Sequence, residues 1–166
     1  MIHILEGKVS IDDVEEFLHK LKKISIENNL TIQALDADKI AGEEHIRFAV
    51  EKAINSFKTG TAIANDLSKE IMLYAAGTRQ ISRAVKLGIH KGENNIVLVA
   101  VGETELSGFD EIFDEIIHEY VLAYNVSKKE ALMKVFGITN EELEAVGKDK
   151  LPELVLERVA LVDVIK

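Results

Sequence analysis

The arrangement of apolar residues constrains the fold of this chain most, because helical stripes alternate with short continuous apolar runs. Stripes with helical period occupy residues 14–24 and 43–57, and β-type runs occupy residues 2–5, 30–35 and 95–101. Alternation of this kind is typical of an α/β fold, in which helices cover a sheet.

A further apolar run, at residues 71–76, has the continuous character of a strand buried on both faces. A tight turn at residues 77–78 and a helix over residues 79–87 are predicted to follow it. With the strand at 95–101, this gives a strand-helix-strand unit with a right-handed crossover. The sequence therefore predicts a mixed sheet.

After Gly102 the pattern becomes wholly helical. Helices are predicted over residues 105–119, 127–137, 139–147 and 152–166. A chain of 166 residues without a linker is expected to form one domain, here residues 1–166. The predicted architecture is a single compact α/β domain with a small mixed sheet flanked by helices and a helical C-terminal third.

Composition excludes several classes of function. The chain has no cysteine, so disulfides, thiolate metal sites and a cysteine nucleophile are excluded. No apolar stretch approaches the about 20 residues of a membrane helix, and the first ten residues do not resemble a secretory signal. We therefore expect a soluble, cytoplasmic protein without a membrane partner.

No reaction centre is evident in the sequence. The Rossmann, P-loop and nucleophile-elbow glycine motifs are missing. Glu115 and His118 match half of a di-iron helix motif, but the second copy that such a site needs is not found. We expect no catalytic residue, no metal and no cofactor, and therefore no enzyme.

One segment departs from the acidic character of the chain. The total charge is −9, yet residues 71–92 contain no acidic residue and carry +4, which leaves −13 on the remainder. Such segregation creates a local anion site on an acidic protein. A solvated helix face would give the same pattern.

Glycine, threonine and arginine at the predicted strand-to-helix turn suggest how an anion would bind. Gly77 permits a sharp turn, and free N–H groups at the helix start bind phosphate. Basic side chains along one helical face would follow a phosphate chain, and Gln80 would read a base edge. The residues expected to form this site are Gly77, Thr78, Arg79, Gln80, Arg83 and Lys86. An ordinary strand-helix unit with a basic surface remains the alternative.

The last predicted helix is apolar on nearly every face, which is more than one core contact buries. A protein partner would cover the excess. The residues expected at that interface are Val155, Val159, Leu161, Val162 and Ile165. A fully buried helix, or a β-like stretch over residues 159–165, is the alternative.

Three segments together resemble a known family. They are LDADKI at residues 35–40, HIRFAVEKA at 45–53 and LSKEIMLYAAGTRQISRA at 67–84. Through them the chain resembles the PRPK-binding (TPRKB-like) subunits of the KEOPS/EKC complex, which makes threonylcarbamoyladenosine (t6A) in tRNA.

The resemblance implies a non-catalytic subunit with two partners. One is the small atypical kinase/ATPase subunit of KEOPS, which docks on helices that include the C-terminal one. The other is tRNA, recruited through its single-stranded 3′ CCA end. Two alternatives stay open: a small enzyme that holds a phosphorylated ligand at Gly77 and Thr78, and a structural adaptor without RNA binding.

Overall fold

The computed structural model describes residues 1–103 and 114–164, and its backbone contacts divide the chain into two compact units. The sheet unit comprises Met1–Ala37 and Gly88–Val121, and the helical unit comprises Asp38–Leu87 and Leu122–Lys166. Each unit combines two separate stretches of chain. One domain over residues 1–166 therefore stays a prediction.

Four strands in the order β2-β3-β1-β4 form the sheet unit. They are β1 (Ile2–Ile11), β2 (Thr31–Asp36), β3 (Gly92–Val101) and β4 (Ile117–His118). β1 and β2 both pair antiparallel with β3, so they run parallel to each other on either side of it. The α/β class is confirmed, but every described strand pairing is antiparallel, whereas a mixed sheet was predicted.

Helix α1 (Val14–Asn28) joins β1 to β2 and covers the sheet. Asp13 caps it by accepting a hydrogen bond from the Glu16 N–H at 3.1 Å, and Asn29 ends it in the left-handed conformation. The core is formed by Leu5, Val9, Ile11, Phe17, Leu21, Leu30, Ala34, Ile96, Leu98 and Ala100.

The helical unit contains six described helices. They are α2 (Glu43–Lys58), α3 (Leu67–Ala76), α4 (Ile81–Ala84), α5 (Lys129–Phe136), α6 (Asn140–Val146) and α7 (Leu151–Leu161). The Thr139 hydroxyl accepts from the Glu142 N–H at 3.1 Å, and Pro152 lies in the first turn of α7. The helical C-terminal part is therefore confirmed.

The predicted strand at residues 71–76 is wrong, because this run lies inside α3. Asp66 starts the helix by accepting from the Lys69 N–H at 2.9 Å. The helix is buried on nearly all sides, so its sequence shows a continuous apolar run without a polar stripe. Periodicity does not distinguish such a helix from a buried strand.

The predicted helix over residues 105–119 falls largely on residues 104–113, which lie outside the described residues. At its end, Ile117–His118 forms β4 and pairs with β1 at Gly7 and Lys8. In the part of the chain that the structure describes, no helix is both long enough and apolar enough to cross a membrane.

The core of the helical unit joins α5, α6 and α7. Its buried members are Ala41, Leu132, Phe136, Ile138, Leu143, Leu151, Leu154 and Val155. α2 packs against both α3 and α7. α3 ends at Gly77, and that end positions the candidate site.

Candidate nucleic-acid interface

The turn that ends α3 forms one wall of the candidate site. Gly77 adopts the left-handed conformation at φ 65°, and its N–H donates to the Tyr74 carbonyl at 3.0 Å. The Thr78 N–H donates to the Leu73 carbonyl at 3.1 Å, which completes the helix cap. A Cβ atom on Gly77 would lie 3.3 Å from Cβ and the carbonyl oxygen of Arg158. The glycine therefore lets α7 approach the turn closely.

A pocket of about 460 Å³ opens beside this turn within the helical unit. It is lined by Lys39, Ala76, Gly77, Thr78, Arg83, Lys86, Ala131, Lys134, Val135, Phe136, Gly137 and Arg158. Five of these residues are lysine or arginine, and none of the described lining residues is acidic. The pocket therefore favours an anion, although the chain as a whole carries −9.

The basic pocket brings together four of the six residues predicted for the anion site, namely Gly77, Thr78, Arg83 and Lys86. Arg79 instead donates from Nη1 to the Val162 carbonyl at 3.3 Å. Gln80 precedes α4 with its side chain exposed, and its N–H donates to the Thr78 hydroxyl at 3.1 Å.

The predicted helix over residues 79–87 does not form as one helix. α4 covers only Ile81–Ala84, and a 3-10 turn, Val85–Leu87, follows it. One turn of helix aligns too few peptide dipoles to bind an anion at its start. Side-chain cations, rather than a helix start, therefore give the pocket its charge.

Three of the cations are available to a ligand. Arg83, Lys86 and Lys134 are exposed, and their side chains form no hydrogen bond or ion pair within residues 1–103 and 114–164. A fourth cation, Lys39, donates from Nζ to the Lys86 carbonyl at 2.6 Å and so braces this wall.

Arg158 ties the far wall of the pocket together. Its guanidinium donates to the carbonyls of Phe136 at 3.1 Å and Gly137 at 3.3 Å, where α5 ends. It also forms a bidentate pair with Glu142 at 2.9 and 2.7 Å. This pairing holds the pKa of Glu142 below its ordinary value and raises the pKa of Arg158 above its own. Arg158 thus fixes the pocket wall, while Glu142 offsets its positive charge.

Lys39, Lys134 and Arg158 were missed by sequence reasoning. They lie far in sequence from residues 77–86, and no motif links them. Arg158 carried the one usable signal, because it is the only basic residue of α7.

The C-terminal helix does not present the predicted valine stripe to solvent. Val155, Val159 and Val162 are each 0% exposed, whereas Leu161 is 39% exposed. The three valines are therefore part of the core. Ile165 lies outside the described residues. An interface on this helix stays a prediction, and Leu161 is the predicted residue that meets solvent.

A polar cluster fastens the end of α7 to α2 and α3. Asp163 accepts hydrogen bonds from the Tyr74 hydroxyl and from Lys52 Nζ, each at 2.5 Å. Burial acts to raise the pKa of Asp163, but these hydrogen bonds outweigh it and hold that pKa below its ordinary value. Burial and the bond to Asp163 raise the pKa of Tyr74. Tyr74 is thereby committed to the fold and offers no ring to a ligand.

The structure defines a two-unit α/β chain whose helical unit carries a basic pocket. The sequence matches the family model described as kinase binding protein CGI-121 over residues 10–163. The chain therefore belongs to the CGI-121 family, and the resemblance stated from the sequence is confirmed.

Two relatives carry names that bear on function. The regulatory protein Cgi121 of Methanocaldococcus jannaschii is 31% identical over 137 residues, which cover 82% of this chain and 86% of that protein. The KEOPS complex subunit Cgi121 of Pyrococcus abyssi is 34% identical over 100 residues, which cover 58% of this chain and 56% of that protein.

Proposed function

We propose that this chain is a non-catalytic, cytoplasmic regulatory subunit of a KEOPS complex that makes t6A in tRNA. Its membership of the CGI-121 kinase-binding family and the names of its two relatives support this proposal. In this role the chain binds the kinase/ATPase subunit and recruits tRNA, while another subunit transfers the threonylcarbamoyl group.

The 3′ CCA end of tRNA binds, in this proposal, in the basic pocket. The observation that carries it is the convergence of five cations, with no acidic residue among the described lining residues. Arg83, Lys86 and Lys134 contact the phosphates, because their side chains are exposed and unpaired among the described residues. Binding of this kind releases counterions and weakens as salt rises.

The dimensions of the pocket favour an unpaired end over a duplex. Its volume of about 460 Å³ lies within the range of sites for single small ligands, about 300 to 1,000 Å³. Recognition of double-stranded RNA spans about 16 base pairs and two minor grooves. Ala131, Val135 and Phe136 provide apolar contacts for one or two bases.

Charge reversal in the pocket tests this proposal. We expect Arg83→Glu combined with Lys134→Glu to weaken tRNA binding at least about tenfold, because two phosphate contacts become repulsive. The measurement is a filter-binding titration of tRNA at low salt, with the melting temperature recorded alongside. Both side chains are exposed, so the fold should be retained.

The matched control is Lys22→Glu combined with Lys148→Glu, which makes the same change in total charge at exposed positions that do not line the pocket. The control should bind tRNA nearly as well as the wild type. An equal loss of tRNA affinity in both variants would show that the effect comes from total charge and not from the pocket. If the wild-type chain has no measurable tRNA affinity, two functions remain: a structural adaptor without RNA binding, or a small enzyme that holds a phosphorylated ligand.

A further inference from the structure

The basic pocket offers a ligand many hydrogen-bond donors and few acceptors. Its lining includes five lysine and arginine side chains and, among the described lining residues, no carboxylate. Acceptors beside these cations are already engaged by the protein. The Lys86 carbonyl accepts from Lys39 Nζ at 2.6 Å, and the Thr78 hydroxyl accepts from the Gln80 N–H at 3.1 Å. The pocket therefore favours negative charge and has little to offer a positively charged group.

The end of α5 would be the natural place for a ligand cation in this pocket. A helix presents free carbonyls and partial negative charge at its C-terminal end, and both favour a cation. Arg158 already occupies this place, because its guanidinium donates to the carbonyls of Phe136 at 3.1 Å and Gly137 at 3.3 Å. The same guanidinium holds the Glu142 carboxylate in a bidentate pair. A second cation would therefore find these carbonyls and this carboxylate taken.

The 3′ end of a tRNA exists in two forms that differ in charge. The terminal ribose is free, or it carries an amino acid in ester linkage, which adds one α-amino group. An α-amino group titrates at about 7.7 to 8.0 in model peptides, and it is positively charged at lower pH. In the pocket this charge would meet like charges from Arg83, Lys86 and Lys134 and would lack a carboxylate partner among the described lining residues.

We propose that the basic pocket selects tRNA whose 3′ end carries no amino acid, and that Arg158 determines this selectivity. The inference rests on the proposed function for the presence of the tRNA end in the pocket. The pocket rejects the charge of the α-ammonium group and not the size of the aminoacyl group. The chain therefore receives tRNA ahead of the reaction that esterifies an amino acid to the 3′ end.

The test compares three forms of one tRNA in a filter-binding titration at about pH 6, where the α-amino group is charged. The first form has a free 3′ end. The second carries glycine through an amide bond to a 3′-amino ribose, which resists hydrolysis. The third carries N-acetylglycine in the same linkage, so it is larger than the second but neutral.

We expect the glycyl form to bind at least about fivefold more weakly than the free form at low salt. The ratio of the two affinities should shrink at high salt, because salt screens the repulsion between charges. The N-acetylglycyl form should bind within about twofold of the free form. Glycyl tRNA that binds as tightly as the free form would overturn the inference. An equal loss with N-acetylglycine would also overturn it, because size and not charge would then decide.

Substitution of Arg158 tests its role in the selectivity. Arg158→Gln removes one positive charge, frees the carbonyls at the end of α5 and leaves Glu142 without its guanidinium partner. We expect this variant to bind the glycyl and free forms within about twofold of each other. A merely structural role of Arg158 would lower the affinity for both forms equally and leave their ratio unchanged.

A second variant covers the case in which Arg158→Gln does not fold, as judged by its melting temperature. Arg83→Gln combined with Lys134→Gln removes two charges at exposed positions of the pocket and should narrow the ratio of the two affinities. Lys22→Gln combined with Lys148→Gln is the matched control and should keep the wild-type ratio, since neither lysine lines the pocket. An unchanged ratio in the pocket variants, or the same change in the control, would overturn the inference.

Failure of this inference and failure of the proposed function give different results. If the free form binds and the glycyl form binds equally well, this inference alone is overturned. If the free form shows no measurable binding, the proposed function is overturned and this inference with it.

Discussion

At the scale of single residues, buried polar side chains fix loops and helix ends of the helical unit. Glu70 is 0% exposed and accepts hydrogen bonds from the Ser56 hydroxyl and the Ala64 N–H, both at 2.8 Å. His45 accepts from the Ala41 N–H at 2.9 Å and donates from Nε2 to the Ala75 carbonyl at 2.8 Å. His45 thus links the start of α2 to the end of α3, next to Gly77.

The neutral form of His45 should make stability depend on pH. Burial lowers the pKa of His45 from 6.5 to about 4. The folded state therefore binds a proton less readily than the unfolded state. The contribution of the neutral ring is complete above pH 6.5 and is lost as pH falls towards 4. We expect a fall of about 2 kcal/mol in the free energy of unfolding between pH 7 and pH 5 from this group.

Urea unfolding of the wild type and of His45→Gln at the two pH values checks this expectation. The variant should be less stable at pH 7 and should lose less of its remaining stability at pH 5. The same pH dependence in both proteins would assign it to other groups.

Gly77 provides the second test at this scale. Gly77→Ala would place Cβ 3.3 Å from the Arg158 backbone and would also strain a residue at φ 65°. Gly60→Ala is a matched control, because its φ is 72° and nothing lies within 4 Å of the added Cβ. We expect about 1 kcal/mol of destabilisation from the strained backbone alone. Thermal unfolding should show a larger loss of stability for Gly77→Ala than for Gly60→Ala. Only Gly77→Ala should lower tRNA affinity. Equal losses of stability would mean that α7 moves aside without a measurable free-energy penalty.

The pocket residues that lie close together in the sequence could be predicted, whereas those from distant segments could not. Gly77, Thr78, Arg83 and Lys86 fall in one stretch without acidic residues, so the turn residues and the charges could be predicted together. The packing of distant segments brings Lys39, Lys134 and Arg158 to the pocket, and no local sequence pattern predicts this. Arg79 fits the local pattern equally well, yet it donates to a carbonyl near the end of α7 and does not line the pocket.

At the scale of elements, an apolar stripe on one face was enough to distinguish helix α2 from a strand. The one-sided stripe of α2 gave the helix over 43–57, and the structure has Glu43–Lys58. α3 was misread as a strand because it is buried on nearly all sides. α7 also carries apolar residues on several faces, so its sequence did not indicate which of them are buried.

The burial of α7 separates the effects of two neighbouring substitutions. Val162→Arg places a charge at a position that is 0% exposed, so we expect a loss on the order of 3 kcal/mol in stability. Leu161→Arg lies at a position that is 39% exposed and should change stability by about 0.5 kcal/mol or less. Circular dichroism during thermal unfolding makes the comparison. Equal stability of the two variants would show that the end of α7 does not pack as described.

At the scale of the whole molecule, charge is unevenly distributed. The chain carries −9, but the basic pocket collects five lysine and arginine side chains, while five glutamates lie together on α2 and α7. Both groups lie in the helical unit. An acidic chain is thus able to hold a local site for an anion.

The central claim is that the basic pocket receives the unpaired 3′ end of tRNA. The most direct measurement compares the affinity of the wild-type chain for intact tRNA and for the same tRNA with its 3′ CCA removed, in one buffer at low salt. We predict a loss of at least about tenfold on trimming, because the pocket then loses its phosphate and base contacts while the duplex is unchanged. Equal affinity for the two RNAs would contradict the claim and would place the RNA contact elsewhere on the tRNA.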